Sequence, residues 1–195
     1  MRRRALLYLS AIVLLSACTE TLPMVPHPPD MTFDHFKKIE LDVATIEVQN
    51  NYKPPMRDPY IEHLFPTPPY VAAANLVKRQ LIATGSENTL RVLIDDASVV
   101  AEELPIARGL ENLLTKEPAE RLKAKVLLHF ELVSPWAPDI VLGHAEVTAR
   151  RTKTLLEGTS VAERERAYFS LTEDLMDDLN DGLRTAVKNT FGKKP

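Results

Sequence analysis

The chain has 195 residues, with 24 Lys+Arg against 27 Asp+Glu, a formal net charge of -3, and one cysteine. An acidic chain with a single thiol excludes any internal disulfide and lacks the basic footprint of a general nucleic-acid binder. Its six glycines, at positions 85, 109, 143, 158, 182 and 192, are too far apart to build a phosphate-cradling loop, so no familiar nucleotide site is expected.

The first seventeen residues have the layout of an export signal. Arg2, Arg3 and Arg4 form a positive start, and residues 5–17 form a thirteen-residue apolar run, too short to cross a hydrocarbon core of roughly 30 Å as a helix. The run ends in Leu15-Ser16-Ala17-Cys18, which resembles the lipobox of bacterial lipoproteins. That resemblance implies cleavage before Cys18, a diacylglycerol thioether on its sulfur and two or three acyl chains. At roughly 0.8 kcal/mol per buried methylene such an anchor is effectively permanent. In the enterobacterial members an Asp after the cysteine favours retention in the inner membrane; Thr19 therefore points to the outer membrane, facing the periplasm. Removal of residues 1–17 takes three arginines and no acids, leaving 21 basic against 27 acidic residues and a net charge of -6.

Ten of the fifteen prolines lie between residues 23 and 69. Residues 18–37, with Pro23, Pro26, Pro28 and Pro29, read as a semi-rigid tether, and residues 38–192 as one domain. Residues 38–50 read as a first strand, in which the phase of Ile39, Leu41 and Val43 changes to that of Ile46 and Val48 through a bulge near Ala44. Residues 51–69 hold six prolines and cannot form a central strand. Thr67 is the expected cap of a helix with Pro68 at its first position and Gly85 at its end, with Val71, Ala74, Val77 and Leu81 inward and Asn75 and Arg79 outward.

Leu90, Val92 and Ile94 open a second strand that continues through Ala97, Val99 and Ala101 after a bulge at Asp95-Asp96. Residues 104–118 are a connection carrying Leu110, Leu113 and Leu114. The next two strands interlock if the chain reverses at Pro135-Trp136-Ala137-Pro138, which sets Leu132 against Val141, Phe130 against Gly143, Leu128 against Ala145, Val126 against Val147 and Ala124 against Ala149. Ser160 and Glu163 make a capping box for a long helix to about Phe191, with Tyr168, Leu171, Leu175, Leu179, Leu183 and Val187 as its buried stripe. The expectation is an α+β domain of order β-α-β-β-β-α: a mostly antiparallel four-stranded sheet with two helices on one face.

Chemistry is sparse. No H-E-x-x-H or G-x-S-x-G occurs and the one cysteine is assigned to lipid, so neither catalysis nor a cofactor is expected. The predicted register puts His129 opposite His144 on the outer face with Glu131 and Glu146 diagonal, a spacing a shared metal could bridge; the plainer reading is a polar pair on a solvated strand. Arg121, Lys123, Lys125 and Arg150 share that face, with Arg150 opposite Lys123; such opposed like charges would be relieved by an anion nearby, whether lipid phosphate, an acidic partner or the acidic start of the last helix, and the plainer reading is simple solvation of surface charges. Asp95, Asp96, Glu102 and Glu103 read as a bulge and a solvated strand end rather than an acid–base set. Tyr60 to Phe65 read as a loop packed over its own sheet edge, with partner docking as the alternative.

Lipobox, proline-rich tether and a single β-α-β-β-β-α domain together resemble the accessory lipoproteins of envelope transport, such as ABC-type transport auxiliary and lipopolysaccharide-assembly lipoproteins. The resemblance implies a noncatalytic helper whose partners are the membrane, phospholipid or lipopolysaccharide, or envelope transport proteins, with no functional residue carried over beyond Cys18. A metal carrier or metal-dependent hydrolase built on His129 and His144, and a purely structural surface lipoprotein, are the competing readings.

Overall fold

A computed structural model describes residues 31–105 and 117–191. Cys18, the stretch before residue 31 and the leucines at 110, 113 and 114 lie outside the described residues. No helix among the described residues is long and apolar enough to cross a membrane.

The phase change near Ala44 is a complete break rather than a bulge. It divides the first strand into β1 (Ile39–Leu41) and β2 (Thr45–Asn50), which belong to different sheets. Between them the Ala44 amide donates to the carbonyls of Glu87 and Asn88. The chain then crosses through α1 (Pro69–Gln80) into β3 (Leu81–Ala83) and β4 (Thr89–Asp96), so that β3 lies parallel to β1 and β4 parallel to β2. Parallel pairing is what a helical crossover imposes. It corrects the expected mostly antiparallel four-stranded sheet: the fold is α+β, but the larger sheet is mixed and a separate two-stranded parallel sheet adjoins it.

Gly85 does not end the helix. The helix stops at Gln80, and Leu81 enters extended backbone directly. A Cβ at Gly85 would lie 2.5 to 2.7 Å from atoms of Asp42 and Val43, so the glycine serves the close approach of the two interrupted strands. Thr67 is not a cap either: Pro68 occupies that position without a side-chain cap, and Pro69 opens the helix. The buried face is Ala72, Ala73, Leu76, Val77 and Gln80, while Val71 is exposed and Ala74 only half-buried. In a run as apolar as Val71 to Val77 periodicity cannot choose the face; contact with the sheet chooses it. Gln80 goes inward because its amide donates to the Phe33 carbonyl at 2.7 Å. Phe33, ahead of β1, is itself in the core.

The bulge expected at Asp95-Asp96 is present. β4 and β5 (Val99–Glu103) follow one another along the same side of β6 (Pro118–Ser134), with a register shift after Ile94. β6 and β7 (Ala137–Leu156) form the expected antiparallel hairpin, but with partners displaced by two residues: Val126 faces Ala149, Leu128 faces Val147, Phe130 faces Ala145 and Leu132 faces Gly143. Ala124 accordingly meets Arg151 rather than Ala149. Irregular pairing at Val133 and Ser134 beside the turn supplies the displacement. An even slip keeps every side chain on its face, so the apolar ladder survives.

That ladder, with Leu90, Val92 and Ile94, faces α1 and α2 (Val161–Phe191). Glu163 accepts from the Ser160 amide at 2.8 Å, and the Glu163 amide donates to the Ser160 hydroxyl, which is the capping box read from the sequence. All six residues of the expected α2 stripe are buried.

Candidate functional site

The sheet face turned away from the helices carries most of the candidate chemistry. Successive rows across it run Glu47, Arg91, Glu131, His144 and then Gln49, Leu93, His129, Glu146. The two-residue displacement therefore separates the histidines: His129 faces Glu146 and His144 faces Glu131. Glu131 is already engaged by Arg91 at 3.2 Å, and His129 lies 3.7 Å from Asp95. Among the described residues no three His, Cys, Asp or Glu side chains converge on a metal position. The arrangement alternates acid and base, which suits hydrogen bonding across the ladder.

The basic group lies further along the same face, and the anions it calls for come from the neighbouring strands. Lys125 contacts Asp96 at 2.8 Å, Lys123 contacts Glu102 at 2.7 Å and Arg121 reaches Glu102 at 3.7 Å. Arg150 sits opposite Lys125, not Lys123. Partial burial of Asp96 opposes its ionisation, but hydrogen bonds from Lys125 and Ser98 outweigh it and hold the carboxyl below the usual range. Glu102 is likewise lowered, chiefly by its hydrogen bond with Lys123. Asp95 accepts from the Asn51 amide at 3.0 Å.

Residues 51–69 cover the edge of β5, as the loop reading expects. Ile61 donates to the Val99 carbonyl, Ala101 donates to that of Pro59, and Tyr60 bridges Val100. Phe65 stacks on Tyr168 of α2 with ring centres 4.3 Å apart. Beneath the loop lies a group that sequence reasoning missed: Glu62 is fully buried, accepting from the Tyr52 hydroxyl at 2.7 Å and from the Val99 amide at 3.1 Å. Burial and the adjacent Glu62 push the Tyr52 hydroxyl above the usual tyrosine range. Both carboxylate oxygens are thus committed to holding loop to sheet. A lone Glu between Ile61 and Leu64 leaves no periodic signal by which it could have been found.

Two further surface features of the described residues bear on binding. A cleft of about 250 Å³ lies between residues 31–36 and the middle of α2, lined among others by Met31, His35, Phe36, Glu173 and Asp177; Glu173 is raised by burial and by the charges of Asp174 and Asp177. The second is the end of the β6–β7 hairpin, where Trp136 is 93% exposed, Ile140 59%, Leu142 54% and Val141 46%.

No protein-family model and no curated protein matches the chain. Among solved structures it is similar to a minor lipoprotein from Acinetobacter baumannii, at 9% identity over 80% of this chain and 99% of that one, with a TM-score of 0.42. It is also similar to the rare lipoprotein B from Shewanella oneidensis, at 12% identity over 72% and 92% of the two chains, with a TM-score of 0.37. A homologue of the neuraminyllactose-binding hemagglutinin from Helicobacter pylori gives 8% identity over 83% and 92%, with a TM-score of 0.39.

Proposed function

We propose that the chain is an exported bacterial lipoprotein, held at the outer membrane by a lipid on Cys18, whose α+β domain is a noncatalytic binding or accessory module of the cell envelope. The observation that carries this reading is the run from Arg2 to Cys18: a basic start, a short apolar stretch and a lipobox ending on the chain's one cysteine. The noncatalytic part draws support from how the candidate acids and bases are used. Glu62, Asp96, Glu102 and Glu131 each close a contact within the fold, and a general acid or base must instead reach a substrate proton. Phospholipid, lipopolysaccharide or an envelope transport protein is the expected class of partner. Mass spectrometry of protein from bacterial membranes should find a diacylated or triacylated N-terminal Cys18, and Cys18→Ser should release the domain from the membrane fraction. An intact Met1 terminus, or an unmodified thiol, overturns the reading. Crosslinking in cells should then capture an envelope protein or lipid.

A further inference from the structure

The end of the β6–β7 hairpin is built unlike the rows that adjoin it. Residues 132–143 contain a single ionisable side chain, Asp139, whereas the adjoining rows of the same hairpin carry Glu131, His144, His129 and Glu146. Ile140, Val141 and Leu142 are consecutive and all substantially exposed. The pairing of β7 with β6 is irregular across these residues, so they belong to a bulged ribbon end rather than to one regular sheet face. Trp136, between two near neighbours Pro135 and Pro138, leads it. An exposed apolar end with so little charge suits an acyl-chain interface, which asks for no matching polar groups. Tryptophan, with an apolar ring and one N–H donor, is the side chain that settles at the boundary of water and acyl chains.

The reach of the chain is consistent with this. Met31 lies against the middle of α2, beside Asp174 and Asp177, and α2 ends at Phe191, whose ring would lie 3.3 Å from a Cβ at Gly143, at the base of the tip. From Met31 to that base is roughly 20 Å at the rise of a helix, and the tip adds roughly 15 Å. The thirteen residue steps from Cys18 to Met31 span at most about 45 Å, enough for an anchor at Cys18 and the tip to meet one bilayer.

We infer that residues Trp136, Ile140, Val141 and Leu142 form a second, reversible contact with the phospholipid bilayer interface, which orients a domain already attached through Cys18. The inference rests on the lipoprotein reading for its proximity to membrane, but the two are separable by experiment because Trp136 is the chain's one tryptophan. The mature lipoprotein is reconstituted into dioleoylphosphatidylcholine vesicles with and without brominated acyl chains. Flotation reports the anchor and Trp136 fluorescence reports the tip. The expected result is emission shifted to shorter wavelength, quenching by bromolipid and protection from aqueous iodide. Ile140→Ser with Leu142→Ser should reduce the bromolipid quenching several-fold while flotation and the circular dichroism spectrum stay unchanged. Protein that floats while Trp136 remains open to iodide and unquenched by bromolipid overturns the tip and leaves the anchor intact. Protection from iodide without bromolipid quenching assigns the tip to a protein contact and also overturns it. Loss of flotation in Cys18→Ser with quenching retained at raised vesicle concentration supports the tip on its own.

Discussion

Gly182 of α2 packs directly on Val147 of β7, where a Cβ would fall 2.5 Å from Val147 Cγ1. This contact sets how closely the long helix approaches the hairpin. Alanine in place of a helix glycine gains up to about 1 kcal/mol in propensity, whereas overpacking a filled core costs about 1–3 kcal/mol. Gly182→Ala should therefore destabilise the domain by about 1–2 kcal/mol, read as a lower urea midpoint. Adding Val147→Ala should cost less than the sum of the two single changes, because the new methyl enters the space vacated. A Gly182→Ala protein more stable than wild type would place helix and sheet further apart.

Tyr52 and Glu62 couple the proline-rich loop to β5. Tyr52→Phe leaves a buried carboxylate oxygen without its donor, which should cost about 1–3 kcal/mol at neutral pH. The fold raises the Tyr52 pKa from its ordinary 10.0, so its contribution is complete below that pH and is lost as pH rises through the folded value. Urea titrations at increasing alkaline pH should show wild type losing stability that Tyr52→Phe does not lose. Parallel decline in both proteins would sever the hydroxyl from the effect.

Asp96 gives the opposite sign. Its folded pKa is depressed below 3.8, so its stabilisation is present above that pH and drains away as pH falls through the folded value. The pair with Lys125 is only partly buried, and Asp96→Asn should cost no more than about 1 kcal/mol at pH 7. The difference between wild type and variant should shrink in acid.

The reciprocal bonds of Ser160 and Glu163 define the start of α2. Ser160→Ala should destabilise by about 1 kcal/mol. Combined with Glu163→Ala the loss should be less than additive, since either change alone breaks part of one motif. Amide exchange should rise first in residues 161–164; unchanged protection there would mean that packing, not the cap, holds the first turn.

How far the fold could be read in advance depended on the length and cleanness of each pattern. The α2 stripe and the apolar ladder of β6 and β7 repeat often enough that one side of each is unambiguous. The face of Phe130 is the same whether Gly143 or Ala145 is its partner, because period two tolerates an even slip. What the pattern does not contain is the irregular pairing beside the turn, and that alone decides whether His129 meets His144 or Glu146. A break at Asp42 to Ala44 and a bulge produce the same change of phase; only the parallel partner strands distinguish them. In α1 the residues from Val71 to Val77 are apolar almost all round, so the buried side was set by tertiary contact. Of the candidate site, the basic cluster is visible in the sequence, but the contacts of Arg121, Lys123 and Lys125 with Asp96 and Glu102 depend on the pairing of β4 and β5 with β6.

The hairpin of β6 and β7 also bears on the order of assembly. Its strands meet across a short turn, so the entropy of closure is small and pairing can spread from Ser134 and Ala137 toward Leu156. β2 can find β4 only after the whole of residues 51–88 has been looped out. The pinch of Gly85 against Asp42 and Val43 thus belongs to a late event. Disturbing it should speed unfolding and leave refolding nearly untouched, whereas weakening Val126 or Ala145 should slow the search itself.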